Sequence, residues 1–203
     1  MHRSVAIVRY NAGNTRSVLC ALHRLGYDGI VTDDPVRLAK ASRVIFPGVG
    51  EASSAMKHII GNRLSDTIAT LRQPFLGICL GMQLMCSHSE EQDTQCLGIF
   101  DTHVKKFPKG YMKIPHMGWN TLSSNSLPIS ADQTLLPWCY FVHSFYVPLC
   151  DQTIAACDYG NIAFSAALGK NNYFGLQFHP EKSGQYGTLL LRSFIEEDWM
   201  GRY

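Results

Sequence analysis

Apolar residues follow two rhythms along this chain, and the change of rhythm divides it. In the first half, short unbroken apolar runs alternate with stretches at helical spacing. Ser4-Val5-Ala6-Ile7-Val8 is one such run, the pattern of a strand covered on both faces. Val18, Leu19, Leu22 and Leu25 then recur along one helical face, with Asn14 placed to cap its start and Gly26 to stop its end. Gly29-Ile30-Val31-Thr32 predicts a second strand, and Pro35 to Ala41 a short helix with proline in its first turn. Val44-Ile45-Phe46 predicts a third strand. Helical stretches from about Ala52 to Leu71 lead to a fourth, Phe75 to Ile78. Strands and helices alternating in this way predict an α/β fold with an open, mostly parallel central sheet and flanking helices.

Beyond Leu97 the pattern shortens. Val104 to Phe107, Cys139 to His143, Thr153 to Ala156 and Ala163 to Ala167 read as β pieces between turns, expected as hairpins added to the sheet or beside it. A last strand, Tyr173 to Phe178, ends in His179-Pro180-Glu181. A closing helix from Thr188 to Trp199 puts Leu189, Leu190, Phe194 and Ile195 on one face. Without a repeat, a low-complexity tract or a long linker, residues 1–203 are expected to form a single domain.

Composition narrows the function classes. Hydrophobic residues make up 46% and charged residues 17%, enough for a packed core and unlike a disordered chain. The formal charge of +2 is nearly neutral, and the densest basic cluster is only Lys105, Lys106 and Lys109, so charge does not imply nucleic acid. No apolar stretch approaches the ~20 residues needed to span a bilayer, so no membrane is expected. The seven cysteines stand at 20, 79, 86, 96, 139, 150 and 157, an odd number without Cys-x-x-Cys or zinc spacing. The chain also opens Met-His-Arg-Ser without a leader pattern. The expectation is a cytoplasmic protein with free thiols.

The chemistry concentrates in three short segments. In Phe75-Leu76-Gly77-Ile78-Cys79-Leu80-Gly81 an apolar run reaches a cysteine with glycine two residues away on each side, followed by a helix-like stretch from Met82 to Cys86. This is the cysteine counterpart of the Gly-x-Ser-x-Gly elbow, in which a strand bends sharply into a helix with a nucleophile at the bend. Crowding at the bend favours glycines, and the unpaired N–H groups of a helix start suit a negatively charged sulfur. A plain glycine-rich turn around a buried thiol fits the pentad equally well. His179 and Glu181 stand two apart on a strand, where side chains point the same way, so Glu181 can orient His179 against Cys79 as a nucleophilic triad. A strand-end histidine bonded to backbone is the alternative. In Pro47-Gly48-Val49-Gly50, the backbone at Val49 and Gly50 can supply an oxyanion donor beside the N–H of Leu80, or be a simple strand-end turn. Ser53 leaves Gly-x-Gly-x-x-Gly incomplete, so dinucleotide binding has no support. In an open α/β sheet all three segments would lie beyond the carboxyl ends of the strands, where ligands bind. Cys20 and Cys86 read as core, and His116 has no metal partners at a useful spacing. The aromatics before His143-Ser144 read as core, while that polar His-Ser pair at a strand end can instead line a pocket.

Together these three segments, in this order and spacing, resemble the class I (triad) glutamine amidotransferases. Two further segments, Tyr10-Asn11-Ala12-Gly13-Asn14 and Ile114-Pro115-His116-Met117-Gly118-Trp119-Asn120, resemble a branch of that class, the glutaminase subunits of imidazole glycerol phosphate synthases. The resemblance implies a flavodoxin-like sheet and a triad of Cys79, His179 and Glu181. It implies glutamine binding by Gly50, Gln83, Ser144 and Phe145. It further implies that ammonia passes to a (βα)8-barrel cyclase subunit in a heterodimer, with Asn14, Trp119 and Asn120 near the interface, and it implies no metal or organic cofactor. The sequence departs from the branch at Arg9, where many members carry Asp. Glu51-Ala52-Ser53-Ser54 also stands where a Phe often follows the oxyanion glycines.

Overall fold

The computed structural model describes residues 3–11, 13–110, 112–129 and 136–201; Ala12, Met1 and His2 of the segments above lie outside them. The first half follows the alternation seen in the sequence. Strands β1 (Val5–Val8), β2 (Gly29–Thr32), β3 (Arg43–Phe46) and β4 (Phe75–Ile78) are separated by α1 (Thr15–Arg24), α2 (Pro35–Lys40), α3 (Ala52–Gly61) and α4 (Leu64–Thr70). Asn14 caps α1 by accepting from the Ser17 N–H at 3.2 Å. Asp34 caps α2 through the Val36 N–H, and Pro35 occupies its first turn.

The helical stretches expected over 52–71 are α3 and α4, which end at Thr70. Arg63 adopts a left-handed backbone, φ 56°, and breaks the run. The elbow helix α5 (Leu80–Leu84) is also shorter than expected, and Cys86 opens β5 (Cys86–Ser89) instead of extending it. The last carbonyls of α5 explain the stop. Leu84 accepts from the Leu97 N–H and Met85 from the N–H groups of Ile99 and Phe100, which draws the next segment across the helix end.

The second half adds β6 (Thr94–Gln95), β7 (Phe100–Lys106), β8 (His116–Thr121), β9 (Ser124–Asn125), β10 (Trp138–His143), β11 (Phe145–Tyr146), β12 (Thr153–Tyr159), β13 (Ile162–Lys170) and β14 (Tyr173–Leu176). The main sheet has the order β2-β1-β3-β4-β14-β13-β12-β9. Its first five strands pair in parallel and the rest are antiparallel, so the hairpin of β12 and β13 is added to one edge. Strands β8 and β10 form a separate antiparallel pair, and β11-β7-β5-β6 a third small sheet. Strand β8 is visible in the sequence only as a motif.

The chain ends in α6 (Gly184–Glu196), which starts and stops earlier than its apolar pattern suggests. Trp199 instead folds back onto Phe174 and Phe194, with ring centroids 5.1 and 5.3 Å away. Leu190, Leu191, Phe194 and Ile195 are buried while Leu189 is only partly covered. Cys86 is buried as expected, but Cys20 is exposed. Two positions along a helix is a rotation of about 200°. Cys20 therefore points away from Val18 and Leu22, which face the sheet. Among the described residues, no helix is long and apolar enough to cross a membrane.

Candidate active site

Strand β4 delivers Cys79 to the carboxyl edge of the parallel sheet, and the bend there is sharp. Cys79 has φ 53° and ψ −110° at the head of α5, a conformation that L side chains rarely adopt. The glycines around it are required by contact. A Cβ at Gly81 would sit 2.0 Å from the Phe46 carbonyl oxygen, and one at Gly48 would sit 2.3 Å from the Gly81 nitrogen. Gly77 is as confined, against Met85, Met82 and Gly81. The elbow thus packs directly on the end of β3, which brings Pro47–Gly50 beside the cysteine.

His179 arrives from the neighbouring strand β14, which ends at Leu176, two residues sooner than expected. Pro180–Lys182 is a 3₁₀ turn, closed by Lys182 N–H to His179 O at 3.0 Å. The turn, not an extended strand, places Glu181 beside the ring. His179 Nδ1 and Glu181 Oε1 are 2.9 Å apart, and both side chains are almost wholly buried. The other ring nitrogen, Nε2, has no partner in hydrogen-bond geometry. Burial by itself would lower the pKa of His179. Its contacts with Cys79 and with Glu181 outweigh that and raise it to about 10. The ring therefore keeps its proton through neutral pH, between a carboxylate and a sulfur.

A cavity of about 340 Å³ opens onto the cysteine, within the ~300–1,000 Å³ range of small-molecule sites. Val49, Gly50, Cys79, Leu80, Gln83, Ser144 and Phe145 all line it, so the structure gathers these seven sequence candidates at one place. Leu80 is the first residue of α5, and its N–H has no partner within the helix. Gly50 has φ 125°, which only glycine adopts easily. The Val49 carbonyl accepts from the Gly13 N–H at 3.1 Å. Across a trans peptide this turns the Gly50 N–H the opposite way. The Tyr10 hydroxyl holds the Pro47 carbonyl at 2.6 Å. Tyr10 and Gly13 thus pin the Pro47–Gly50 segment.

Several residues at the site escape a reading of the sequence. Gln177 Nε2 lies 3.7 Å from Cys79 Sγ, and Gln177 Oε1 accepts from Gln83 Nε2 at 2.8 Å. Glu91 brings a carboxylate to the cavity wall, where burial raises its pKa and the Ala52 N–H donates to Oε2 at 2.8 Å. Pro115, Val142 and His143 complete the lining. His143, with Ser144, is already a pocket candidate in the sequence and lines the cavity, whereas Glu91 and Gln177 carry no motif.

Of the interface candidates, Trp119 and Asn14 lie around the turn that carries Glu181. Trp119 is 53% exposed and packs edge-on against Tyr140, whose ring lies under Lys182 Nζ. A Cβ at Gly184 would touch Trp119, and Arg24 of α1 reaches the Glu181 carbonyl. Asn14 lies across that turn with Cys20 and Arg24. The Asn120 side chain is engaged within the fold, donating to the Asp158 carbonyl at 2.9 Å. Both departures have local roles. Arg9 pairs with Asp33 at 2.7 Å, and Glu51 caps α3 through the N–H groups of Ser53 and Ser54. Among the described residues, no group of three His, Cys, Asp or Glu is placed to hold a metal.

The family model for class-I glutamine amidotransferases matches residues 6–197. The chain is 53% identical over 194 residues to the imidazole glycerol phosphate synthase subunit HisH of Bacteroides thetaiotaomicron, covering 95% of this chain and 98% of that protein. It is 45% identical over 196 residues to the protein of the same name from Idiomarina loihiensis, covering 95% and 97%. Its fold is similar to that of a putative GMP synthase protein from Thermoplasma acidophilum, with a TM-score of 0.72 at 21% identity over 96% of this chain and 93% of that one.

Proposed function

The chain belongs to the class-I glutamine amidotransferases, and from that premise we propose that it is the glutaminase subunit of an imidazole glycerol phosphate synthase. In this reading it hydrolyses glutamine to glutamate and ammonia, and passes the ammonia to a (βα)8-barrel cyclase subunit in histidine biosynthesis. Residues 1–203 act as one amidotransferase domain in the cytoplasm, where its seven cysteines, all unpaired, stay reduced. The names of relatives that align over nearly their whole length support the assignment.

The observation that carries the chemistry is the meeting of Cys79 with the backbone of Gly50 and Leu80 at one cavity, with the buried His179–Glu181 pair behind the sulfur. Cys79 Sγ attacks the side-chain amide carbon of glutamine. The negative charge that develops on the amide oxygen falls to the N–H groups of Leu80 and Gly50 at the oxyanion strand of Val49. His179 gives its Nε2 proton to the departing nitrogen as the C–N bond breaks, and ammonia leaves a glutamyl thioester. Water then loses a proton to His179 and attacks the thioester carbon. The C–S bond breaks, and glutamate and the sulfur nucleophile are released. Glu181 holds the ring and balances its charge.

Gln83, Gly50, Ser144 and Phe145 hold the substrate, and Glu91 faces its α-ammonium group. Trp119, Asn120 and Asn14 lie toward the cyclase. The test is Cys79→Ser assayed with the cyclase of the same source. Glutamine-driven turnover should vanish while turnover with added ammonia survives. Glutamine-driven turnover that persists would overturn the triad, and loss of both activities would overturn the division of labour.

A further inference from the structure

Beside the triad the interior holds a pair of imidazoles. His116 on β8 and His143 at the end of β10 are opposite each other in the strand register. His116 Nδ1 lies 3.0 Å from His143 Nε2, and His143 Nδ1 lies 2.8 Å from the Phe145 carbonyl oxygen. A carbonyl only accepts, so His143 carries its proton on Nδ1. Burial keeps both rings neutral, lowering His116 to about 4 and His143 to about 3. His143 Nε2 is then the acceptor, and His116 donates to it from Nδ1.

The far end is fixed as well. His116 Nε2 is left as an acceptor, with Asn120 Nδ2 at 3.4 Å. The Asn120 amide can point only one way. Its Nδ2 donates to the Asp158 carbonyl, and its Oδ1 accepts from the Thr121 N–H at 2.8 Å. Each proton in this chain has one place. At the other end the Phe145 carbonyl also accepts from Gln83 Nε2 at 2.9 Å. Gln83 reaches Gln177, and Gln177 reaches the nucleophile's sulfur. The rings lie among aromatics, His116 stacked on Tyr159 at 3.9 Å and on Phe141 at 4.8 Å. Apolar rings would fill this space without the cost of burying two imidazoles, a cost offset only by directional bonding.

We propose that His116 and His143 are positioning residues for the glutamine pocket: the one-way chain from Asn120 through both rings to the Phe145 carbonyl holds residues 142–145 and Gln83 in register with Cys79. It rests on the reading of the cavity as the glutamine site. It ties the half-buried strand β8, which carries the exposed Trp119, to the wall of that cavity.

The test compares two rates of Cys79 alkylation, one by iodoacetamide and one by a chloroketone analogue of glutamine, alongside KM and kcat for glutamine. In His143→Leu the ratio of analogue to iodoacetamide labelling should fall about tenfold, and KM should rise by a similar factor with kcat less affected. His143→Asn keeps a donor near Nδ1 and should recover most of the ratio. His116→Phe keeps the stack and removes the Nδ1 donor together with the Nε2 acceptor, so it should fall between them; it decides the matter if His143→Leu does not fold. An unchanged ratio in folded His116→Phe would overturn the proposal. A wild type that reacts with iodoacetamide but never with the analogue would overturn the glutamine reading itself, and the positioning role with it.

Discussion

His179 Nδ1 lies 2.9 Å from Glu181 Oε1 within a single 3₁₀ turn, and both side chains are 1% exposed. The carboxylate fixes the ring's orientation and its charge together. Glu181→Gln keeps the shape and removes the charge. Its kcat for glutamine should fall by about 10²–10⁴ with little change in KM, as read from initial rates at saturating glutamine. A loss confined to KM would mean that Glu181 serves binding instead.

The same pair sets a pH dependence of stability. His179 rises from 6.5 to about 10 on folding, so the folded state binds this proton more tightly. Its contribution is complete below the unfolded value and is lost as pH rises through about 10. Urea unfolding of the wild type and of His179→Gln should therefore differ most near neutral and acid pH, and converge on the alkaline side. A gap that widens above pH ~9 would contradict the assignment.

Gly81 and Gly61 make a matched contrast. A Cβ at Gly81 would drive into the Phe46 carbonyl, a backbone atom, whereas one at Gly61 meets nothing within 4 Å. Gly81→Ala should cost about 2–3 kcal/mol or prevent folding. Gly61→Ala, in the last position of α3, should stabilise by about 0.5–1 kcal/mol. Thermal melts of the two variants check both directions.

Glu91 is assigned to the α-ammonium end of the substrate. Glu91→Gln should raise KM for glutamine about tenfold while kcat holds. Because burial raises the Glu91 pKa, the wild-type KM should climb as pH falls toward the mildly acid range. The variant should lose that slope. Equal pH profiles of KM would remove Glu91 from the binding site.

The order of strands and helices in the first half, the elbow at Cys79 and the candidate partners His179 and Glu181 are all legible in the chain as written. Those features are local. An unbroken apolar run, an i, i+3, i+4 stripe or a Gly-x-Cys-x-Gly pentad can be read because cause and effect lie within a few residues. Helix ends are less legible. The stop of α5 at Leu84 is imposed by N–H groups from 97–100, and the exposure of Cys20 depends on which face of α1 meets the sheet.

What surrounds the sulfur is settled by the folded arrangement. Gln177 reaches Gln83 across 94 residues of chain, His116 reaches His143 across 27, and the Gly13 N–H turns the Val49 peptide. Such contacts leave no periodic trace, because a side chain's partner is set by which strands become neighbours, and β14 lies beside β4 in space though far from it in sequence.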